Sequence, residues 1–190
     1  MAPGADIQSA PALADAASPG LERVTTRYSV KQDRICLAGE LPGGSPVVLW
    51  LTQRLLRRLL PPLLVWLQEQ GGAAHAVMGQ ALYADALQGF AQQAARAQLQ
   101  PQAPVQVPEG SLSCLVEGVD MGRSPEAVRL VFRDAQGVVA AMVLHPQPLR
   151  QWLSILFDAW QQAEWPLEVW PDWLRESVPA KAVSAGGLVH

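Results

Sequence analysis

Apolar positions in this chain follow two rhythms, and they occur in the same order in both halves. Arg27-Tyr28-Ser29-Val30-Lys31 alternates with the period of a half-buried strand. Ile35-Cys36-Leu37-Ala38-Gly39 and Val47-Val48-Leu49-Trp50-Leu51 predict two more strands, separated by the turn-forming run Leu41-Pro42-Gly43-Gly44-Ser45. The rhythm then becomes helical from about Thr52 to Gln68. Leu55, Leu56, Leu59, Leu60, Leu63, Leu64 and Leu67 make one apolar stripe. The Thr52 hydroxyl suits the cap of that helix. Pro61 and Pro62 donate nothing to the carbonyls of Arg57 and Arg58, so a kink or a restart is expected there.

Gly71-Gly72 closes the first helix. Residues 73–99, rich in Ala and Gln, predict a second, weakly amphipathic helix with Met78, Leu82, Ala86, Phe90 and Ala94 on its apolar face. A proline-punctuated linker follows from Pro101 to Pro108. Then the order repeats. Leu112–Val119 and Val128–Arg133 predict strands, Asp134-Ala135-Gln136-Gly137 a hairpin turn, and Val138–Leu144 another strand. Beyond His145-Pro146 comes a helix with Leu149, Trp152, Leu153, Leu156, Phe157 and Trp160 on one face.

A shift of 93 residues superposes the two halves without gaps. Leu37 meets Leu130, Gly44 meets Gly137, and Leu51 meets Leu144. Leu56-Arg57 meets Leu149-Arg150, Leu60 meets Leu153, and Leu63 meets Leu156. The strand before these needs an insertion after Glu117 to match. One hairpin–helix unit alone leaves an apolar sheet face without enough partners; two can cover each other. The expected fold is therefore α+β, with duplicated β-hairpin–helix (βββα-like) units and helices on one face. The sheet would be antiparallel, as one of about six strands or two of three. The organisation expected is a tail over 1–22, a first unit with its extra helix over 23–100, and a linker over 101–110. A second unit spans 111–178, and a terminal segment 179–190.

Composition narrows the function. Charged residues are 16% of the chain, against about 25% in ordinary globular proteins. The hydrophobic share is 49%, and the seven tryptophans argue against a disordered chain. With 14 Lys+Arg against 17 Asp+Glu, and only Lys31 and Lys181 as lysines, a general nucleic-acid coat is disfavoured. The N-terminal stretch lacks the basic and apolar regions of a secretory signal, and Arg54, Arg57 and Arg58 interrupt the longest apolar stretch. A cytoplasmic protein is expected, with Cys36 and Cys114 as reduced thiols.

No catalytic or metal-binding motif emerges. His75, His145 and His190 stand apart from metal-ligand spacing, and nothing resembles a phosphate loop or nucleophile elbow. Cys114 sits mid-strand among apolar neighbours, where a thiol is inert. No cofactor or metal is expected. Two features remain. Arg54, Arg57 and Arg58 share one helix face, either as a solvated surface or as an anionic docking patch. Trp165, Trp170 and Trp173 lie in a proline-broken segment with Glu164, Glu168, Asp172 and Glu176. They either close the core or serve an interface. The arginines and this acidic segment are also potential partners for each other.

The function expected is a non-catalytic protein-interaction module, such as an adaptor, assembly factor or small structural subunit. It would bind a protein partner or itself, without membrane insertion. One alternative is a nucleic-acid binder using the three arginines and sheet aromatics, with Arg57 and Arg150 recurring in both halves. Another is a small ligand-binding protein or enzyme with a pocket between the halves, for which His145, Cys114 and scattered carboxylates are the polar groups.

Overall fold

The structure is a computed structural model and describes residues 18–70 and 81–176. Ile35, Leu37, Leu49 and Leu51 are fully buried, because alternate residues of their strands face one core. They belong to a meander of β1 (Arg23–Ser29), β2 (Arg34–Glu40) and β3 (Pro46–Leu51). A second meander holds β5 (Gly118–Arg123), β6 (Val128–Asp134) and β7 (Gly137–Leu144), and buries Val128, Leu130, Phe132, Ala140 and Met142. A short strand, β4 (Leu112–Leu115), lies parallel to β3 at the edge of the first sheet. The fold is thus α+β with two mainly antiparallel sheets, ordered β1-β2-β3-β4 and β5-β6-β7.

The single strand expected over Leu112–Val119 is instead two. The chain changes sheets at its middle: Val116 N–H donates to the Trp50 carbonyl at 3.0 Å, while Glu117 N–H donates to the Arg133 carbonyl at 2.9 Å. One periodic run therefore serves two ladders, and β5 extends beyond Val119 to Arg123. The chain entering β1 makes a similar crossing. Gly20 runs parallel to Ala141 of β7 before the chain joins β2.

Pairing registers correspond between the sheets. A shift of 93 carries Leu37–Leu49 onto Leu130–Met142, and Ala38–Val48 onto Val131–Ala141. The same shift carries the Gly20–Ala141 bridge onto the Ser113–Val48 pair with the roles of the halves exchanged. In the second hairpin turn, Asp134 Oδ1 accepts the amides of Gln136 and Gly137 at 2.8 and 3.1 Å. Gly137 has φ 135°, a conformation suited to glycine.

Helix α1 (Gln53–Gln70) starts where its cap predicts, with Leu55 N–H donating to Thr52 Oγ1 at 3.1 Å. It runs unbroken through Pro61 and Pro62. Both prolines are exposed, as are Arg57 and Arg58, so this side of the helix is open to water. Helix α3 (Pro146–Gln162) places Pro146 in its first turn, where no amide is needed. Each helix reaches the sheet of the other half. Trp66 of α1 donates its indole N–H to the Ser124 carbonyl beside β5 at 2.9 Å, and Trp152 of α3 donates to Thr26 Oγ1 of β1 at 3.1 Å. The two meanders and two helices thereby share one continuous core.

Two further helices complete the described chain: α2 (Ala81–Ala97) and the short α4 (Asp172–Arg175). The linker is tied down at one point. Val105 is buried, and its N–H donates to Thr25 Oγ1 at 2.9 Å.

Candidate functional site

Helix α2 is oriented against expectation. Of its expected apolar face, Met78 and the Leu82 side chain lie outside what the structure describes. Ala86, Phe90 and Ala94 are exposed. The side turned inward carries Gln88, Gln92 and Ala95. The reason lies across the contact, where α3 presents Arg150, Ser154 and Asp158 at i, i+4 and i+8. Three polar residues of α2 meet them. Arg150 reaches the backbone carbonyl of Gln88 at 3.5 Å and also donates to its side-chain oxygen. The Gln92 amide donates to Ser154 Oγ and to the Arg150 carbonyl, both at 2.8 Å. Arg96 pairs with both oxygens of Asp158, at 3.2 and 3.0 Å. Burying these groups against an apolar face would strand them without partners.

Arg150 is the keystone of this contact. Its guanidinium is buried, has no described carboxylate within salt-bridge distance, and lies 5.7 Å from the Trp173 ring centroid. Burial lowers its pKa below the usual arginine range. The charge is balanced by the Gln88 oxygens and the face of an indole.

With its polar side inward, α2 turns Tyr83, Leu87 and Phe90 outward at i, i+4 and i+7. They are 71%, 47% and 68% exposed. Beside this stripe, between α2 and α4, lies a groove of about 450 Å³. Ala86, Gly89, Phe90 and Trp173 supply its apolar part. At Gly89 the helices leave room for a methyl: a Cβ there would stand 3.7 Å from the Trp173 carbonyl oxygen, an ordinary van der Waals contact. Asp85, Asp172 and Glu176 add three carboxylates.

The tryptophans expected in the C-terminal segment back this region. Trp165, Trp170 and Trp173 are all buried, so the segment folds over the core. Trp160 meets Trp165 and Trp170 edge-to-face, with centroids 5.0 and 5.6 Å apart. Tyr28 joins from β1, 5.9 Å from Trp165, and Phe157 lies 5.1 Å from Trp170. Such geometry adds about 0.5–1.5 kcal/mol per pair beyond area burial. The indole N–H groups of Trp170 and Trp173 have no acceptor among the described residues.

Arg54, Arg57 and Arg58 are exposed on α1, without an ion pair to any described residue. The acidic segment does not bind them: Asp158 pairs with Arg96, and Asp172 with Arg175. Arg57 and Arg150, equivalent by sequence shift, differ in setting, since one is exposed and the other buried. They form no common cationic surface. Among the sheet aromatics, Trp50 donates to Ser113 Oγ at 2.9 Å, and Tyr28 packs on Trp165.

A cleft of about 510 Å³ lies between β1, the linker and α3. Thr26, Trp152 and Ile155 line it together with Leu99 and the linker residue Pro104. Glu22 and Arg23 stand at its edge, but neither His145 nor Cys114 reaches it. His145 Nδ1 instead lies 3.0 Å from the Glu126 carbonyl oxygen. Burial, then Asp134, raise the Cys114 pKa, which disfavours the thiolate needed by a nucleophile. Both cysteines are free. Among the described residues no cluster of His, Cys, Asp or Glu is placed to hold a metal, and no helix is long and apolar enough to cross a membrane. No protein-family model, curated protein or solved structure matches the chain.

Sequence reasoning missed the α2 stripe because it assumed that an apolar face turns inward. The available signal was the matched i, i+4, i+8 polar spacing: Gln88, Gln92, Arg96 and Arg150, Ser154, Asp158.

Proposed function

We propose that the protein is a non-catalytic interaction module, an adaptor or assembly factor of the cytoplasm, built on a duplicated βββα unit. The observation that carries this reading is the outward stripe Tyr83-Leu87-Phe90, on a helix whose inward contacts are hydrogen bonds and an ion pair. A helix held by its polar side leaves its apolar side for another molecule. The duplication is supported by the common 93-residue register and by the crossed parallel pairs at Gly20 and Ser113. In this reading the duplicated core is a rigid base. Helix α2, which interrupts the repeat, is the working surface. Trp165 and Trp170 join the buried aromatic cluster that precedes α4, and Trp173, within α4, contributes to the groove.

The experiment is co-purification of the untagged protein, compared with a variant carrying Tyr83→Gln, Leu87→Gln and Phe90→Gln. Glutamine is a good helix former, and all three positions are exposed, so the fold is expected to persist. A stable partner should accompany the wild type and be lost from the variant at an unchanged unfolding midpoint. Retention of the same partner by the variant, or a wild type that retrieves nothing, would count against the proposal.

A second reading rests on the exposed guanidiniums of Arg54, Arg57 and Arg58, which have no ion pair among the described residues and suit a phosphate backbone. It requires a salt-dependent shift with single-stranded DNA that disappears on Arg54/Arg57/Arg58→Ala.

A further inference from the structure

Resting on that reading of α2, we infer that the groove beside its stripe receives a basic amphipathic segment of a different protein. The argument begins with shape. Phe90 belongs to both stripe and groove, so an apolar side chain lying along α2 continues onto Ala86, Gly89 and Trp173. Charge then selects the partner. Asp85, Asp172 and Glu176 line the groove, and no described Lys or Arg does. Asp172 is paired with the exposed Arg175 at 3.1 Å, while Asp85 and Glu176 have no described cation within salt-bridge distance. The Arg150 charge lies against the Trp173 ring and is absent from the groove lining.

These charges disfavour the simplest alternative, a second copy. A twofold contact through this face would set each patch of carboxylates against its own image. A segment with Lys or Arg flanking Leu or Phe meets both requirements: its apolar side lies on Phe90 and Trp173, and its cations meet the carboxylates. Exposed ion pairs contribute a factor of about 1.5 to 5 each, so neutralising three acids should weaken binding about tenfold. The effect should shrink as salt shortens the screening length to about 10 Å at 0.1 M.

The test uses two fluorescein-labelled helical peptides, one with Leu at i, i+3, i+4 and i+7 among Lys and one with the same Leu positions among Glu. Anisotropy is measured against the full chain at low and moderate salt. The Leu/Lys peptide should bind and the Leu/Glu peptide should not. The Asp85→Asn/Asp172→Asn/Glu176→Gln variant should lose about tenfold for Leu/Lys. The Asp85→Asn/Glu176→Gln variant, which leaves α4 intact, should lose a smaller but measurable part. Equal binding of the two peptides, or undiminished Leu/Lys binding by both variants, overturns the inference. Phe90→Gln separates the two proposals: loss of binding without a charge effect leaves the stripe standing, whereas unchanged binding removes both. Sedimentation at the same concentrations should report a monomer. A dimer dissolved by Phe90→Gln assigns the groove to a second copy and also overturns the inference.

Discussion

Replacing Arg150 should release α2 from the core, and the size of the effect follows from its contacts. Arg150→Ala removes the donors for two oxygens of Gln88 and the cation over Trp173. A hydrogen bond from a charged group contributes about 1.5–3 kcal/mol, and a partly desolvated cation–π contact about 1 kcal/mol. Relief of the guanidinium's desolvation works the other way, and is the cause of its lowered pKa. We expect a net loss of about 2–3 kcal/mol, or roughly 5–10 °C in Tm for a chain of this size. Arg150→Met preserves the stem volume and should lose about 1 kcal/mol less. Adding Gln88→Leu to Arg150→Met should recover stability, because replacing both partners avoids a stranded polar group. The assay is urea unfolding followed by tryptophan fluorescence, with hydrogen exchange reporting on α2. An Arg150→Ala protein with the wild-type midpoint and undiminished protection of Gln92–Ala97 amides would refute the reasoning.

Other outcomes follow from particular contacts. Thr52→Ala should cost about 1 kcal/mol in urea unfolding by removing the acceptor for Leu55 N–H, and Thr52→Ser should restore most of it. Gly89→Ala should stabilise the protein by about 0.5–1 kcal/mol, since helix propensity improves and the new methyl meets Trp173 only at van der Waals distance; a destabilised variant would show that α2 and α4 are packed more tightly. Alkylation of Cys114, measured in a Cys36→Ala background, should lag behind a free thiol near neutral pH and accelerate as alkaline pH ionises it, because burial raises its pKa. The linked stability should be full below the unfolded thiol's pKa and decline as pH rises through the higher folded value. Arg54, Arg57 and Arg58 changed together to Gln should leave the unfolding free energy within about 0.5 kcal/mol, as exposed side chains without an ion partner among the described residues.

Where one periodicity served one burial face, the sequence was legible. The Leu stripe of α1, the Thr52 cap and the β6–β7 hairpin each had a local signal and a single environment. Legibility ended where tertiary context reversed the local rule. The apolar side of α2 turned outward because α3 offered polar partners, and no property of α2 alone contains that information. The run Leu112–Val119 could not show that its two ends pair with different sheets. Trp165, Trp170 and Trp173 lay among prolines and acids, a composition that suits an interface as well as a folded-back segment. Trp165 and Trp170 are buried against Trp160 and Phe157 on α3 and Tyr28 on β1, and Trp173 lies by Arg150 of α3. The groove was hidden for a related reason, since Asp85 and Glu176 are distant in sequence and become neighbours only through the α2–α4 contact.

The central claim is that the outward side of α2 is where this protein meets another. Site-specific photo-crosslinking in cells tests it most directly. A benzophenone side chain is placed at Leu87, and a control at Val138, which is 40% exposed on β7. We predict one discrete crosslinked species from Leu87 and none from Val138, with the Leu87 species lost on Phe90→Gln. An absence of adduct at Leu87, or the same adducts from both positions, would contradict the account.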